Sequence, residues 1–277
     1  MAYWDTFESR LEITADLVAK TALRVGKGGE AAEPTATDLP VLKDAEGRPY
    51  IPGSSLRGVL RSHVERLVRA IETLAKDERK DGRGACNPVQ ESEWCVKSDQ
   101  MRTWREAARW RDDGDVWLAE QIWNSSCRVC RVFGSPWLAS RVRIADLHAK
   151  GEARFEVRPG VAIDREKETV ANLYDFETVP AGVCFSLNIT AENLDVAERG
   201  LLWLGLRELE RGHIHLGGFK GRGLGQVTLE NLRLRGVEAS DRQALRDYLA
   251  TGELVEMPPA TADAWLEELM KVMVGGA

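Results

Sequence analysis

The 277-residue chain predicts an α+β fold, and three observations predict it. Phe7, Ser9, Leu11, Ile13, Ala15, Leu17 and Ala19 share one parity with mostly polar residues between them, the period of a long half-buried strand. Leu56, Val59, Leu60, His63, Val64, Leu67, Val68 and Ile71 recur at three- and four-residue spacings, the stripe of an amphipathic helix. With intervening segments set aside, the chain reads strand, helix, strand, strand, helix, strand. That is the ferredoxin-like βαββαβ order, shared with RRM-like domains.

A Gly-, Ala- and Pro-rich loop follows the first strand over 26–38, then a short extended piece at Pro40, Val41 and Leu42 and a turn through Ala45, Glu46, Gly47 and Arg48. The helix after Ser54 carries Arg57, Arg61, Arg66 and Arg69 on its polar side. Residues 75–137 read as an insertion, opening on the charged run 76–81. It holds four of the five cysteines and six of the nine tryptophans, with a helical stretch over 101–123. Strands are expected over 141–147, 153–157 and 183–189, whereas 160–178 is polar and without a clear period. A helix over 193–210 has Asn193 as its expected cap and Leu201, Leu202, Leu204, Leu206 and Leu209 on its apolar side. A glycine-rich loop leads to a strand over 226–234. Two helices, over 242–250 and 262–274, occupy the C-terminal region 236–277. The whole reads as one domain over 1–277 without internal repeats.

The formal net charge is −6, which excludes a wholly basic nucleic-acid coat but allows a local basic groove. Residues 124–143 hold Arg128, Arg131, Arg141 and Arg143 and no acid; 212–225 is also basic, and 253–268 is acidic. No apolar run approaches the roughly 18–20 residues that span a bilayer. The N-terminus lacks the basic and apolar regions of a secretory signal. The expectation is a cytoplasmic protein with no membrane partner.

The segment from Arg48 to Arg61 runs a Pro- and Gly-stiffened loop into a helix that starts on Ser54 and Ser55, with Arg57 and Arg61 one and two turns on. Unpaired N–H groups and the positive dipole end make such a terminus suited to phosphate, and hydroxyls and guanidinium groups add donors. Cys86, Cys95, Cys127 and Cys130 have the spacing C-x8-C-x31-C-x2-C. One C-x-x-C pair and two further thiols suit a closed structural Zn²⁺ site, with no open position for catalysis. His63 is a further candidate ligand that also fits the apolar face of its helix, and Cys184 reads as core. In the loop from Leu216 to Gly225 the glycines permit close backbone approach, and Lys220 and Arg222 supply charge. It is not a P-loop, since no Gly-Lys-Ser/Thr ends it. It is not a Rossmann loop either, since a helix precedes it and a strand follows. Arg131 and Ser135 join the C-x-x-C pair to a turn. Asp38, before Leu39 and Pro40, reads on its own as a turn residue.

These residues in order resemble the RAMP superfamily of CRISPR-associated proteins, closest to the backbone subunit of type III effector complexes. The likeness runs through Asp38 to Asp44, Arg48 to Gly58, Cys127 to Ser135, Ala162 to Arg165, Val179 to Gly182 and Leu216 to Gly225. It implies a ferredoxin-like palm that polymerises along a guide crRNA, with a β-hairpin thumb over 160–178, including Asp164 and Arg165, that splays out one nucleotide. It implies that Ser54, Ser55, Arg57, Arg61, Gly218, Lys220 and Arg222 lie on surfaces that hold guide phosphates, with Arg131 and Ser135 beside them. Asp38 matches the catalytic aspartate of members that cleave target RNA with Mg²⁺ or another divalent ion. The partners so implied are crRNA, target RNA, and neighbouring copies or paralogous RAMP subunits. Two alternatives stay open: a non-catalytic crRNA-binding scaffold, and a crRNA-processing endoribonuclease using histidines such as His213 and His215.

Overall fold

The computed structural model describes residues 5–26, 38–75, 84–152, 154–164 and 166–274. The loop positions 27–37, the charged run at 76–83 and Arg165 lie outside them. The first strand, β1 (Ser9–Ala19), is buried at every second residue, as its alternation requires. There follow β2 (Tyr50–Ile51), α1 (Gly53–Ala75), α2 (Ser98–Ala108), α3 (Gly114–Ser125), α4 (Arg128–Phe133), β3 (Val142–Ile144), β4 (Leu147–His148), β5 (Glu156–Asp164), β6 (Thr169–Thr178), β7 (Cys184–Glu192), α5 (Val196–Glu210), β8 (Val227–Glu238), α6 (Arg242–Thr251), β9 (Val255–Met257) and α7 (Ala260–Val274).

The central sheet has the order β3-β7-β1-β8-β9, antiparallel throughout. Long α1 follows β1 and α5 follows β7, so each helix links strands that are not neighbours in the sheet. Leu11, Ile13 and Leu17 of β1 join Leu56, Leu60 and Val64 of α1 and Leu201, Leu202 and Leu206 of α5 in one core. Each such side chain fully removed from water contributes roughly 1.5–3 kcal/mol. Gly205 lets α5 approach α1: a Cβ there would sit 3.1 Å from Val64 Cγ2. The other face of β1 is polar, with Arg10 on Glu192, Asp16 on Lys150 and Glu12 on Arg235.

Several elements differ from the sequence reading. The helix expected over 101–123 is two, broken before Gly114, where a Cβ would lie 2.2 Å from the Ala108 carbonyl oxygen. The C-x-x-C pair sits on the short helix α4. The aperiodic segment 160–178 makes up the second half of β5, the turn and all of β6 of a hairpin whose strands pair from Glu156↔Thr178 to Asp164↔Thr169. Most of its residues are exposed on both faces, so burial imposes no alternation. Asp195, not Asn193, caps α5, in a reciprocal capping box with Glu198. Asn193 instead has φ of 53° and accepts from the backbone N–H groups of Glu8 and Ser9. The C-terminal region is not helix alone, because β9 between α6 and α7 adds an edge strand to the main sheet.

Candidate nucleic-acid interface and metal centre

The two sides of α1 have different work. Arg57, Arg61, Glu65 and Arg69 recur every fourth residue and face the insertion. Arg61 donates through Nε to Glu65 at 2.7 Å, through Nη1 to the Gly134 carbonyl at 2.8 Å and through Nη2 to Cys130 Sγ at 3.5 Å. Arg57 donates to the Phe133 carbonyl, and Arg69 to the carbonyls of Ala85 and Cys86 at 3.0 and 2.6 Å. Burial works against the Arg61 charge, but Glu65 together with the nearby thiols of Cys130 and Cys86 holds the guanidinium above its ordinary value. Arg61 and Arg57 Nη2 thus fasten the cysteine region to α1, whereas the buried Arg57 Nε has no hydrogen-bond partner among the described residues.

Those donors converge on four free thiols. The Sγ atoms of Cys86, Cys95, Cys127 and Cys130 all lie within 4.8 Å of one another, and three of the four residues are buried. Tetrahedral Zn²⁺ with Zn–S near 2.3 Å needs sulfurs about 3.8 Å apart, so the thiol cage has the size and chemistry of that ion. Cys127 N–H also donates to Cys95 Sγ at 3.2 Å, as expected around a thiolate. Hydrogen bonds from Cys127 and Cys130 draw Cys86 below its ordinary value, while Cys127 and Cys86 push Cys130 up, so the thiols titrate as a unit. His63 is not in the cage; its Nε2 meets Glu208 at 3.1 Å. Arg131 and Ser135 are also committed here. Arg131 donates to the Trp123 carbonyl at 2.9 and 3.2 Å and lies 4.8 Å from its ring, and Ser135 Oγ accepts from Trp137 and Leu138 N–H. Both are held rigidly beside the cysteine region.

The other side of α1 is open. Ser54, Ser55, Gly58 and Val59 form one wall of a cleft of about 600 Å³, with Arg24, Val25, Gly26, Leu39, Gly217 and Gly218 opposite. Pairing with the end of β1 builds this arrangement: Gly218 N–H donates to the Arg24 carbonyl at 2.7 Å and Gly225 N–H to the Ala22 carbonyl at 2.9 Å. Gly217 has φ of 77°, and a Cβ there would lie 2.1 Å from the Arg24 carbonyl oxygen. The glycine loop is thus pinned against the strand end and needs glycine to get there.

Arg24, which the sequence reading missed, is the cation of this cleft. Its guanidinium lies 5.0 Å from the Phe219 ring centroid, and its buried Nε has no hydrogen-bond partner among the described residues. Burial pulls its pKa down. Among the described residues no carboxylate pairs with this half-buried guanidinium, so an anion reaching it from solvent would be favoured. The signal was available, since Arg24 interrupts the apolar pair Leu23 and Val25. Against this, the helix start is less empty than expected: Gly53 N–H is already taken by Asp146 Oδ1 at 2.8 Å.

Asp38 stands at the foot of the hairpin beside this cleft. Its exposed carboxylate accepts from Asp175 N–H at 3.0 Å, and Leu39, next in the chain, lines the cleft. Glu177 fixes the same strap, accepting from Val41 N–H at 3.1 Å and pairing with Lys43 at 3.0 Å. Tyr174, Phe176 and Phe219 cluster between hairpin and glycine loop. Arg222 bonds the Tyr174 hydroxyl and lies 4.9 Å from the Phe219 ring. Lys220 lines the adjoining pocket. Asp164 is at the hairpin turn, accepting from Glu166 and Lys167 N–H at 2.9 and 3.2 Å. The structure therefore brings Ser54, Ser55 and Gly218 to one cleft, with Asp38 beside it, next to the lining residue Leu39, and Lys220 and Arg222 at its margins. Arg57, Arg61, Arg131 and Ser135 belong to the cysteine region, and Asp164 to the hairpin end.

A sheet backed by two helices, with a glycine loop against the first helix, defines a class of protein that comparison identifies. The family model of the RAMP superfamily matches residues 16–228, and the chain belongs to that superfamily. Among individual proteins it is similar to the CRISPR system Cms endoribonuclease Csm3 of Methanothermobacter thermautotrophicus, 26% identical with 83% of this chain and 87% of that one covered. The protein of the same name from Methanocaldococcus jannaschii is 25% identical over 83% of this chain and 82% of its own. That of Enterococcus italicus is 42% identical over 23% of this chain and 30% of its own. Among the described residues no helix is long and apolar enough to cross a membrane.

Proposed function

We propose that the chain is a backbone subunit of a type III CRISPR ribonucleoprotein that binds guide crRNA and cleaves complementary target RNA. The observation that carries this reading is the cleft between α1 and the glycine loop. It combines two serine hydroxyls, a close glycine backbone and a guanidinium that pairs with no carboxylate among the described residues, beside an exposed carboxylate. Phosphate contacts of this kind position a strand without reading its sequence. The sheet order β8-β1-β7-β3 supports a ferredoxin-like palm, and the thiol cage supports a structural Zn²⁺ in the insertion. The hairpin Glu156–Thr178 is the thumb of this reading, standing over Asp38 at its foot. Target RNA and neighbouring RAMP subunits are the further partners, and the cytoplasm the compartment.

In cleavage, the 2′-oxygen of a splayed target nucleotide bonds to the adjacent phosphorus while the P–O5′ bond breaks; the hydroxyl proton is lost and O5′ gains one. Positioning the attacking oxygen in line is the main contribution of the fold. Asp38 supplies the carboxylate. Among the described residues no group of three or more His, Cys, Asp or Glu ligands besides the four cysteines could hold an ion. Mg²⁺ or another divalent ion would be held by Asp38 together with water and RNA oxygens, and would neutralise charge on the phosphate.

The test is cleavage and binding of labelled target by the assembled complex with Mg²⁺. Asp38→Ala should abolish cleavage and leave assembly and RNA binding intact, whereas Arg24→Gln should weaken binding. Full cleavage by Asp38→Ala would remove the catalytic role, and absence of cleavage by the parent complex would leave the non-catalytic scaffold. Processing of precursor RNA by the isolated chain would instead favour the processing endoribonuclease.

A further inference from the structure

The open side of α1 does not end with the cleft. Ser54, Gly58, Ser62 and Arg66 stand at four-residue intervals, as do Ser55, Val59 and His63, and the second half of this face enters another pocket of about 320 Å³. Ser62, His63, Arg66, His213, His215 and Lys220 line it. Gly58 and Val59 line both spaces, so they form one continuous groove along the helix.

The polar groups here are braced by one carboxylate. Glu208 Oε2 lies 3.1 Å from His63 Nε2 and 2.9 Å from His213 Nδ1, and Oε1 accepts from Arg211 at 3.4 Å. Burial works to raise the Glu208 carboxyl, but the bonds to His213 and His63 outweigh it and hold it below its ordinary value. An ionised carboxylate only accepts, so both ring nitrogens facing it carry hydrogens. The other nitrogen of His63, Nδ1, lies 2.8 Å from Arg66 Nη2, which only donates. These partners assign His63 as a neutral imidazole that holds the Arg66 guanidinium in place. His213 differs. Its side chain is 59% exposed, and its Nε2 has no hydrogen-bond partner among the described residues. It can take a proton without breaking a bond. The charged and titratable groups around it are Glu208 and Arg211 at the end of α5, His63 and Arg66 on α1, and His215 and Lys220 on the loop. Apart from Glu208 all are cationic or can become so.

We propose that this pocket is a phosphate subsite for the nucleic-acid strand, with Arg66 as its fixed cation and protonation of His213 as the step that strengthens it. The subsite rests on the RNA-binding reading above. Its groups donate hydrogen bonds, as phosphodiester oxygens require. Binding should be tighter where the His213 imidazole is protonated than where it is neutral.

The experiment is fluorescence anisotropy of the purified full chain with a short single-stranded RNA, over a salt series at about pH 6 and about pH 8. One added phosphate contact steepens the dependence of log K on log salt by about 0.7 for a single strand. The wild-type slope should steepen by that amount at the lower pH, with several-fold tighter binding. His213→Gln should match wild type at the higher pH and fail to tighten at the lower. Arg66→Gln should bind less tightly at both. Survival of the full pH response in His213→Gln, or wild-type binding by Arg66→Gln, overturns the subsite. RNA binding that ignores pH in the wild type overturns the subsite while leaving the RNA-binding reading in place. No RNA binding at either pH overturns both.

Discussion

Replacing Arg61 with Met separates a structural arginine from an RNA-binding one. Arg61 is 15% exposed, and its carboxylate partner Glu65 only 6%. The substitution retains much of the apolar stem but removes three donors: to Glu65, to the Gly134 carbonyl and to Cys130 Sγ. Breaking a buried ion pair from one side costs about 3–5 kcal/mol, because the remaining charge is stranded. Here Arg69 still reaches Glu65 at 3.4 Å, which places the expected loss at the lower end, about 3 kcal/mol. For a chain of this size that corresponds to a fall in melting temperature of roughly 6–12 °C. Thermal unfolding followed by circular dichroism, with metal supplied in excess, measures it. Adding Glu65→Gln to the variant should recover part of the loss, since the stranded charge is then gone; the cycle isolates the pair. RNA affinity of the folded variant should stay near wild type, because Arg61 faces away from the cleft. A variant of unchanged stability and weakened RNA binding would refute this reasoning and return Arg61 to the phosphate surface.

Metal content and acid stability extend the same logic. Elemental analysis should find one Zn²⁺ per chain; Cys130→Ser should lower metal occupancy and melting temperature together, and a metal-free wild type would leave the thiol cage without its ion. Asp16 is held below its ordinary value by hydrogen bonds from Lys150 and Asn231, against burial. A depressed folded pKa stabilises above the unfolded value, near 3.9, and this contribution is lost as pH falls through the folded value. Stability measured from about pH 5 down to about pH 2 should therefore decline less steeply in Asp16→Asn than in wild type.

How much of this was legible follows from where burial imposes a pattern. In β1 one face lies on the core, so apolar residues had to alternate, and the period showed it. In the hairpin Glu156–Thr178 neither face is covered along most of its length, so Val161, Ile163, Val170 and Leu173 stay exposed and no period could emerge. The four cysteines were readable because few residue types make a thiolate cage, although their meeting depends on α4 and a chain path that spacing does not encode. The contacts of Arg57 and Arg61 were not legible because a run of arginines on a helix has no sign of its own. Whether it meets phosphate or backbone carbonyls depends on what packs there. Arg24 was overlooked because its significance lies in a missing partner, a property of three-dimensional neighbours.

The four-residue interval along α1 would have sorted these arginines. Arg57, Arg61, Glu65 and Arg69 form one row with an acid in it, and Ser54, Gly58, Ser62 and Arg66 form another without one. Rows at this interval lie on one helix face. A row with its own carboxylate can satisfy buried cations internally and suits a face against protein. A row of small and hydroxyl side chains leaves room for a ligand. On α1 the first row meets the carbonyls around the thiol cage, and the second lines the groove from Ser54 to Arg66. The cysteine region thus braces the back of the helix that presents the groove. Loss of its metal should reach RNA binding through the position of α1, even though no cysteine lines the cleft.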